Sequence, residues 1–187
     1  MTDIHISQYH HPDIKADLEE FFSTTLDTVQ PTLVLMSGDI TDAKSPDGLL
    51  SHQLEFEWST YSDLLVRHNV LEKTTYLDLR GNHDALNVPG YNHPDNFFRL
   101  HGAVGRVNPT SYIHTVNHSG ASYAFVAVDA TPDPGPSKMF NFLGHLTELQ
   151  YNMLDRIGQE ARKADRQVYN YTFKSLRHAN FFVQNYM

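Results

Sequence analysis

Three short polar clusters constrain this chain more than any other feature: Asp3-Ile4-His5, Gly38-Asp39-Ile40-Thr41-Asp42 and Gly81-Asn82-His83-Asp84. The second and third each stand where an apolar run ends. Asp39 follows Asp3 by 36 residues and Asn82 follows Asp39 by 43, and each interval can hold one strand-to-strand crossover of roughly 30 or more residues. Consecutive clusters can therefore converge at one edge of a sheet. Strands alternating with helices, with polar residues after each strand, describe an α/β domain whose site lies beyond the carboxyl ends of its strands.

The segments between the clusters carry the matching periodicities. Ile14, Leu18, Phe21, Phe22, Leu26 and Val29 recur at three- and four-residue steps, which predicts an amphipathic helix closed by Pro31. Residues 32–37 and 74–79 read as buried parallel strands, and 50–67 as a helix with Leu50, Leu54, Trp58, Tyr61, Leu64 and Leu65 on one stripe. A short helix over 94–100 stops at Gly102. Residues 111–116 and 122–128 read as strands joined near His118-Ser119-Gly120, and the Pro- and Gly-rich 131–137 as loop. Thr147 with Gln150 makes a capping box for a helix to about Lys163 that buries Leu149, Met153, Leu154 and Ile157, with one more strand at 167–173.

Composition narrows the chemistry. With no cysteine, any metal is held by His, Asp, Glu, Asn or backbone oxygen. The clusters supply hard carboxylate and amide oxygens and borderline imidazole nitrogens, a set for manganese, iron, zinc or magnesium. Asp39 has two oxygens and can bridge two cations. The 14 Lys plus Arg against 22 Asp plus Glu leave a net charge of −8, so no nucleic-acid partner is expected. The apolar runs fall far short of the roughly 18–20 residues a membrane span needs, so the chain reads as soluble and unprocessed, its compartment undetermined.

Asp-x-His, then Gly-Asp-x-x-Asp, then Gly-Asn-His-Asp, in that order, resembles the calcineurin-like metallophosphoesterases. The resemblance implies an α/β/β/α sandwich and two divalent metal ions: Asp3 and His5 would hold the first, Asp39 would bridge, and Asn82 would hold the second. His83 would face the phosphate, and Asp84 would orient His83. The implied reaction is hydrolysis of a phosphomonoester or phosphodiester by metal-bound hydroxide. Members of the branch it most resembles carry membrane-spanning helices outside the matched region.

Set against that family, the chain reads as a partial domain over 1–173, followed by an unrelated tail at 174–187. The family's first strand before Asp-x-His and its later Gly-His and Gly-His-x-His ligands have no counterpart, and Gly144-His145 reads as loop. The alternative function is a non-catalytic remnant that at most binds metal or a partner. Elsewhere, His10 and His11 read as exposed loop residues, Trp58, Phe21, Phe22, Phe97 and Phe98 as packing, and Glu55 and Glu57 as a solvated helix face.

Overall fold

A computed structural model describes residues 1–107, 110–164 and 167–173. The expected tail at 174–187 lies outside the described residues. Helix α1 (Ile14–Glu20) runs through a π-helical turn (Phe21–Thr25) into α2 (Leu26–Val29), so one helical rod covers the stretch that the spacing predicts. Gln30, at φ 48°, ends it ahead of Pro31. Strand β1 (Leu33–Met36) pairs in parallel with β2 (Thr75–Asp78), with Leu33 opposite Thr75 and Met36 opposite Asp78. Between them lie α3 (Glu55–Arg67) and the short α4 (Val70–Lys73), which follows Asn69 in a left-handed turn.

Beyond α5 (Phe98–His101), strand β3 (Tyr112–His118) and strand β4 (Ala121–Asp129) form a hairpin from Tyr112 opposite Ala127 to His118 opposite Ala121. Its two-residue turn, Ser119-Gly120, has positive φ at both positions, the twist that suits a tight hairpin. Helix α6 (Glu148–Ala164) then crosses to β5 (Gln167–Phe173), which adds in parallel to β4.

Strand alternation sorts these side chains into layers. Val34 and Met36 of β1 and Tyr76 of β2 point to a core with Leu18, Phe22, Leu26, Trp58, Tyr61 and Leu64 of the helices. The opposite faces, Leu33, Leu35, Leu77 and Leu79, pack against Tyr112 and Ala127 of the second sheet. Val126 and Val128, on the far face of that sheet, meet Met153, Leu154 and Ile157 of α6. The order is helix, sheet, sheet, helix, as expected from the resemblance.

Two boundaries and one burial differ from the periodicity. Helix α3 starts at Glu55 rather than at 50, because Ser45 accepts from the Leu50 amide and Asp47 from the Leu49 amide, side-chain bonds that compete with helix. The helix predicted at 94–100 is confined to Phe98–His101, and Gly102 closes it on the Phe98 carbonyl. The capping box at the start of α6 forms, with the Thr147 amide on Gln150 at 2.8 Å and the Gln150 amide on Thr147 at 3.2 Å. Leu149, however, is 80% exposed. The inward position there goes to Gln150, whose amide reaches Ser111 and the Asp129 carbonyl.

A polar tie crosses the interface between the sheets. The Tyr112 hydroxyl donates to the Asp78 carbonyl at 2.7 Å in a buried setting, while the Asp78 carboxylate accepts from the amides of Ala103 and Val104 and from the Tyr61 hydroxyl. We expect Tyr112→Phe, which keeps the ring, to lose about 1–2 kcal/mol by urea denaturation, because a buried carbonyl loses a partner.

Candidate metal centre

Residues 1–6 lie along the end of β1 and the loop after it. The Ser37 amide donates to the Met1 carbonyl, the Asp3 amide to Gly38, the His5 amide to Asp39 and the Ile6 amide to Ile40. Ile6 and Thr41 form a parallel bridge. Asp3, His5 and Asp39 all sit at left-handed φ, 54°, 46° and 51°. Such conformations are costly for residues with a Cβ and persist where the surroundings overdetermine them. The β2 loop comes equally close: a Cβ on Gly81 would overlap the Asp39 amide and its Oδ1. Glycine is what lets the third cluster reach the second.

These contacts bring His5 and Asp39, two of the four expected ligands, together with His83. His5, Asp39 and His83 can each present one ligand atom with all three atoms within 4.8 Å of one another, and among the described residues this is the group that could hold a metal. His5 Nε2 lies 3.7 Å from Asp39 Oδ2 and 3.8 Å from Asp3 Oδ1, and the His5 and His83 rings meet edge to face at 4.5 Å. His5 Nδ1 is buried without a hydrogen bond. Burial and the neighbouring His83 hold His5 below the usual imidazole range, against the pull of Asp42, Asp84 and Asp3, so its nitrogens favour the neutral form that ligates metals. The donor set therefore fits a divalent cation. Asn82 is buried, and it immediately precedes His83, whose amide donates to Asp39 Oδ1 at 2.8 Å. Asp3 stays half exposed at the rim, its Oδ2 taking a bond from Thr2.

Two residues sit differently from expectation: His83 could itself join a metal-holding group, and the Asp84 carboxylate bonds other partners than the His83 ring. The Asp84 carboxylate is wholly buried and accepts from the amides of Ile40, Thr41 and Gly81 and from the Thr41 hydroxyl, at 2.8–3.1 Å. Burial raises this carboxyl, and those four donors oppose it. The His83 ring is instead fixed by the Asp42 carbonyl, 2.7 Å from Nδ1. Because a carbonyl can only accept, that nitrogen carries the proton and Nε2 is the one left for the site.

Asp42 is completely buried and stands between both rings, its Oδ1 3.7 Å from His5 Nδ1 and 3.8 Å from His83 Nδ1. Lys44 pairs with it at 2.6 Å and the Ser7 hydroxyl donates at 3.0 Å. Burial works against the charged form, but Lys44, Ser7 and His83 hold Asp42 below the ordinary carboxylate range.

Glu57 overturns a further expectation. It is fully buried rather than solvated, with Oε1 accepting from the Gln8 amide and Oε2 from the Ala43 amide, both at about 2.9 Å or less. It thereby clamps the loop after His5 to the loop after Asp39. Burial pushes its carboxyl up to about 7 against those two bonds. The stripe itself carried the signal, since Glu57, Tyr61 and Leu64 fall at helical steps on the buried side of α3.

On the other flank, Arg80 pairs with Asp129 at 3.0 Å, donates to Thr131 at 2.7 Å and lies over the Tyr91 ring. Both charges are buried, which joins the carboxyl ends of β2 and β4 beside a cavity of about 410 Å³. His145 lines that cavity from an exposed loop and takes no part in the metal-holding group.

Asp84→Asn points an amide at four donors, so we expect a loss of about 3 kcal/mol or more in urea denaturation. Glu57 gives a pH signature. Its folded pKa, about 7, lies above the ordinary 4.5, so its stabilising share is complete below about 4.5 and is lost as pH rises through about 7. Asp78, raised by burial to about 6, acts with the same sign. The difference between wild type and Glu57→Gln isolates Glu57: between about pH 5 and pH 7 the wild type should lose about 1 kcal/mol per unit more than the variant.

Comparison with known proteins gives the site its context. The calcineurin-like phosphoesterase family profile matches residues 1–179. Mouse transmembrane protein 62 is 39% identical over 169 residues, covering 90% of this chain and 26% of that protein. An Arabidopsis thaliana protein assigned by its name to the metallophosphoesterases is 35% identical over 161 residues, covering 83% of this chain and 21% of its own length. The chain thus spans about a quarter of the length of these curated relatives. A dimetal phosphatase from Danio rerio, 12% identical, superposes with a TM-score of 0.59 over 92% of this chain and 67% of that one, a likeness of fold. No helix among the described residues is long and apolar enough to cross a membrane. With the motif order, the four-layer architecture and the profile match in agreement, the chain belongs to the calcineurin-like phosphoesterase family.

Proposed function

We propose that residues 1–173 form a metal-dependent phosphoesterase unit that hydrolyses a phosphomonoester or phosphodiester. The observation that carries this reading is the convergence of His5, Asp39 and His83, each with a ligand atom within 4.8 Å of the others. Asp3, whose Oδ1 lies 3.8 Å from His5 Nε2, and the buried Asn82 just before His83 would complete a set for two divalent cations, manganese, iron, zinc or magnesium. Cations bound there would supply charge against the phosphoryl oxygens and make water acidic enough to attack phosphorus near neutral pH.

The chain's own groups account for the rest. Asp39 divides its labour: Oδ1 accepts from the His83 amide, and Oδ2 faces His5. Asp42 fixes the His83 tautomer through its carbonyl, so that Nε2 faces the reacting atoms and can ligate when bare or give a proton to the leaving oxygen when charged. The left-handed turns at Asp3, His5 and Asp39 hold the ligands in place before substrate arrives, which spares the reaction the cost of ordering them.

The test is metal content by mass spectrometry together with manganese-dependent hydrolysis of p-nitrophenyl phosphate and its diester. Asp39→Asn should lower both metal affinity and turnover by about a hundredfold. A wild-type chain that stays metal-free after manganese loading would overturn the reading, and equal turnover in the variant would assign the activity to a contaminant.

A further inference from the structure

The third polar cluster is held from two sides. Asp84 ties it to the loop after β1, and the segment after β4, residues 129–136, is bonded along it from Arg80 to Tyr91. Arg80 donates from Nε to Asp129 at 3.0 Å and from Nη2 to the Thr131 hydroxyl at 2.7 Å. The Tyr91 amide donates to the Asp133 carboxylate at 3.0 Å, the Gly135 amide to the Val88 carbonyl at 2.8 Å and the Asn87 amide to the Pro136 carbonyl at 2.9 Å. A Cβ on Gly135 would overlap the Ala85 carbonyl, so glycine is what seats this strap on the helical turn His83–Ala85.

The Arg80 end of the strap is the part that bears on the candidate metal centre. Arg80 and Asp129 are both buried, and the guanidinium lies over the Tyr91 ring at 4.8 Å. Asp129 is itself oriented by the Thr131 amide at 2.9 Å and by the Thr131 hydroxyl. A forked guanidinium bonded on two edges and covered on one face has little freedom left. Two residues further along stands Asn82, and three along stands His83, whose amide reaches Asp39 Oδ1 and whose Nδ1 reaches the Asp42 carbonyl. Gly81 lies between them, pressed against the Asp39 amide, which leaves the short run from Arg80 to His83 no room to absorb a shift.

We propose that Arg80, gripped by Asp129 and Thr131, is a positioning residue for the metal centre: it sets where Asn82 and His83 stand against Asp39 and Asp42. A site at the edge of the first sheet thereby takes part of its geometry from the second. A buried ion pair adds little stability over apolar side chains of the same size, so stability alone does not account for this one. The proposal rests on the metal-centre reading for the use made of Asn82 and His83, and on the strap alone for their positioning.

The experiment compares the full-length wild type with Arg80→Lys, which keeps the charge and loses the fork, and with Thr131→Val, which removes one acceptor of the guanidinium. Val70→Ala is the control, a fully buried side chain of α4 before the start of β2, whose loss destabilises the core at the far end of that strand. Two readouts are taken: the His83 ring tautomer by nitrogen-15 NMR without metal, at a pH where the ring is neutral, and manganese affinity by electron paramagnetic resonance. The wild type and Val70→Ala should show the Nδ1-protonated form that the Asp42 carbonyl selects. Arg80→Lys should show a mixture of tautomers and bind manganese about tenfold more weakly. Thr131→Val should move both readouts the same way, with affinity down about threefold, and it decides the matter if Arg80→Lys does not fold. Wild-type tautomer in the folded strap variants, or an equal change in Val70→Ala, would overturn the proposal. If the tautomer responds as expected while the wild type binds no manganese, the metal-centre reading fails and the positioning of His83 by Arg80 stands.

Discussion

The buried Asp84 carboxylate is the junction on which the site is assembled. It sits in a short helical turn after β2, yet it accepts hydrogen bonds from the backbone following β1 at Ile40 and Thr41, and from Gly81 at the end of its own strand. Four donors on one carboxylate hold two loops in a single geometry, with no other group needed to mediate. Everything chemical in the molecule is referenced to that junction. Asp39 is one residue before the first donor and Asn82 one residue after Gly81, so their relative position follows from how Asp84 is satisfied.

Around this junction two more buried carboxylates divide the work. Glu57 ties the loop after His5 to the loop after Asp39, and Asp42 stands between the two imidazoles and is balanced by Lys44. A cluster of acids this dense is expensive in a folded chain unless each charge has partners or a cation. Asp84 and Glu57 are satisfied by backbone amides, and Asp42 is paired with a lysine. Asp39 keeps one oxygen turned toward His5 and toward the point where the three ligands meet. That difference separates the structural carboxylates from the one suited to hold metal.

Much of this was legible in the linear sequence. The order of the three polar clusters points to one sheet edge, and the helical and strand periodicities recover the elements that deliver them, including the capping box of α6 and the hairpin turn at Ser119-Gly120. Legibility failed where a side chain's role depends on what stands opposite it. Glu57 reads as a surface acid next to Glu55, and only the approach of two loop amides makes its burial affordable. Leu149 reads as core, but Gln150 takes the inward place because Ser111 and the Asp129 carbonyl need a donor there. Asp84 reads as a partner of the histidine beside it, and the chain turns it away toward amides some 40 positions distant.

The chain order of residue types determined which atoms can do chemistry here, because oxygen and imidazole donors, glycine-permitted turns and apolar periods are local properties of the sequence. It also determined the α/β character, since strand and helix periods are short-range patterns. Which carboxylate supports the fold and which faces a ligand was decided only in three dimensions. So was the partner that fixes the His83 ring. The physical reason is common to both: a polar group's role is set by its desolvation and its nearest partner, and both come from chain segments that the sequence places far apart.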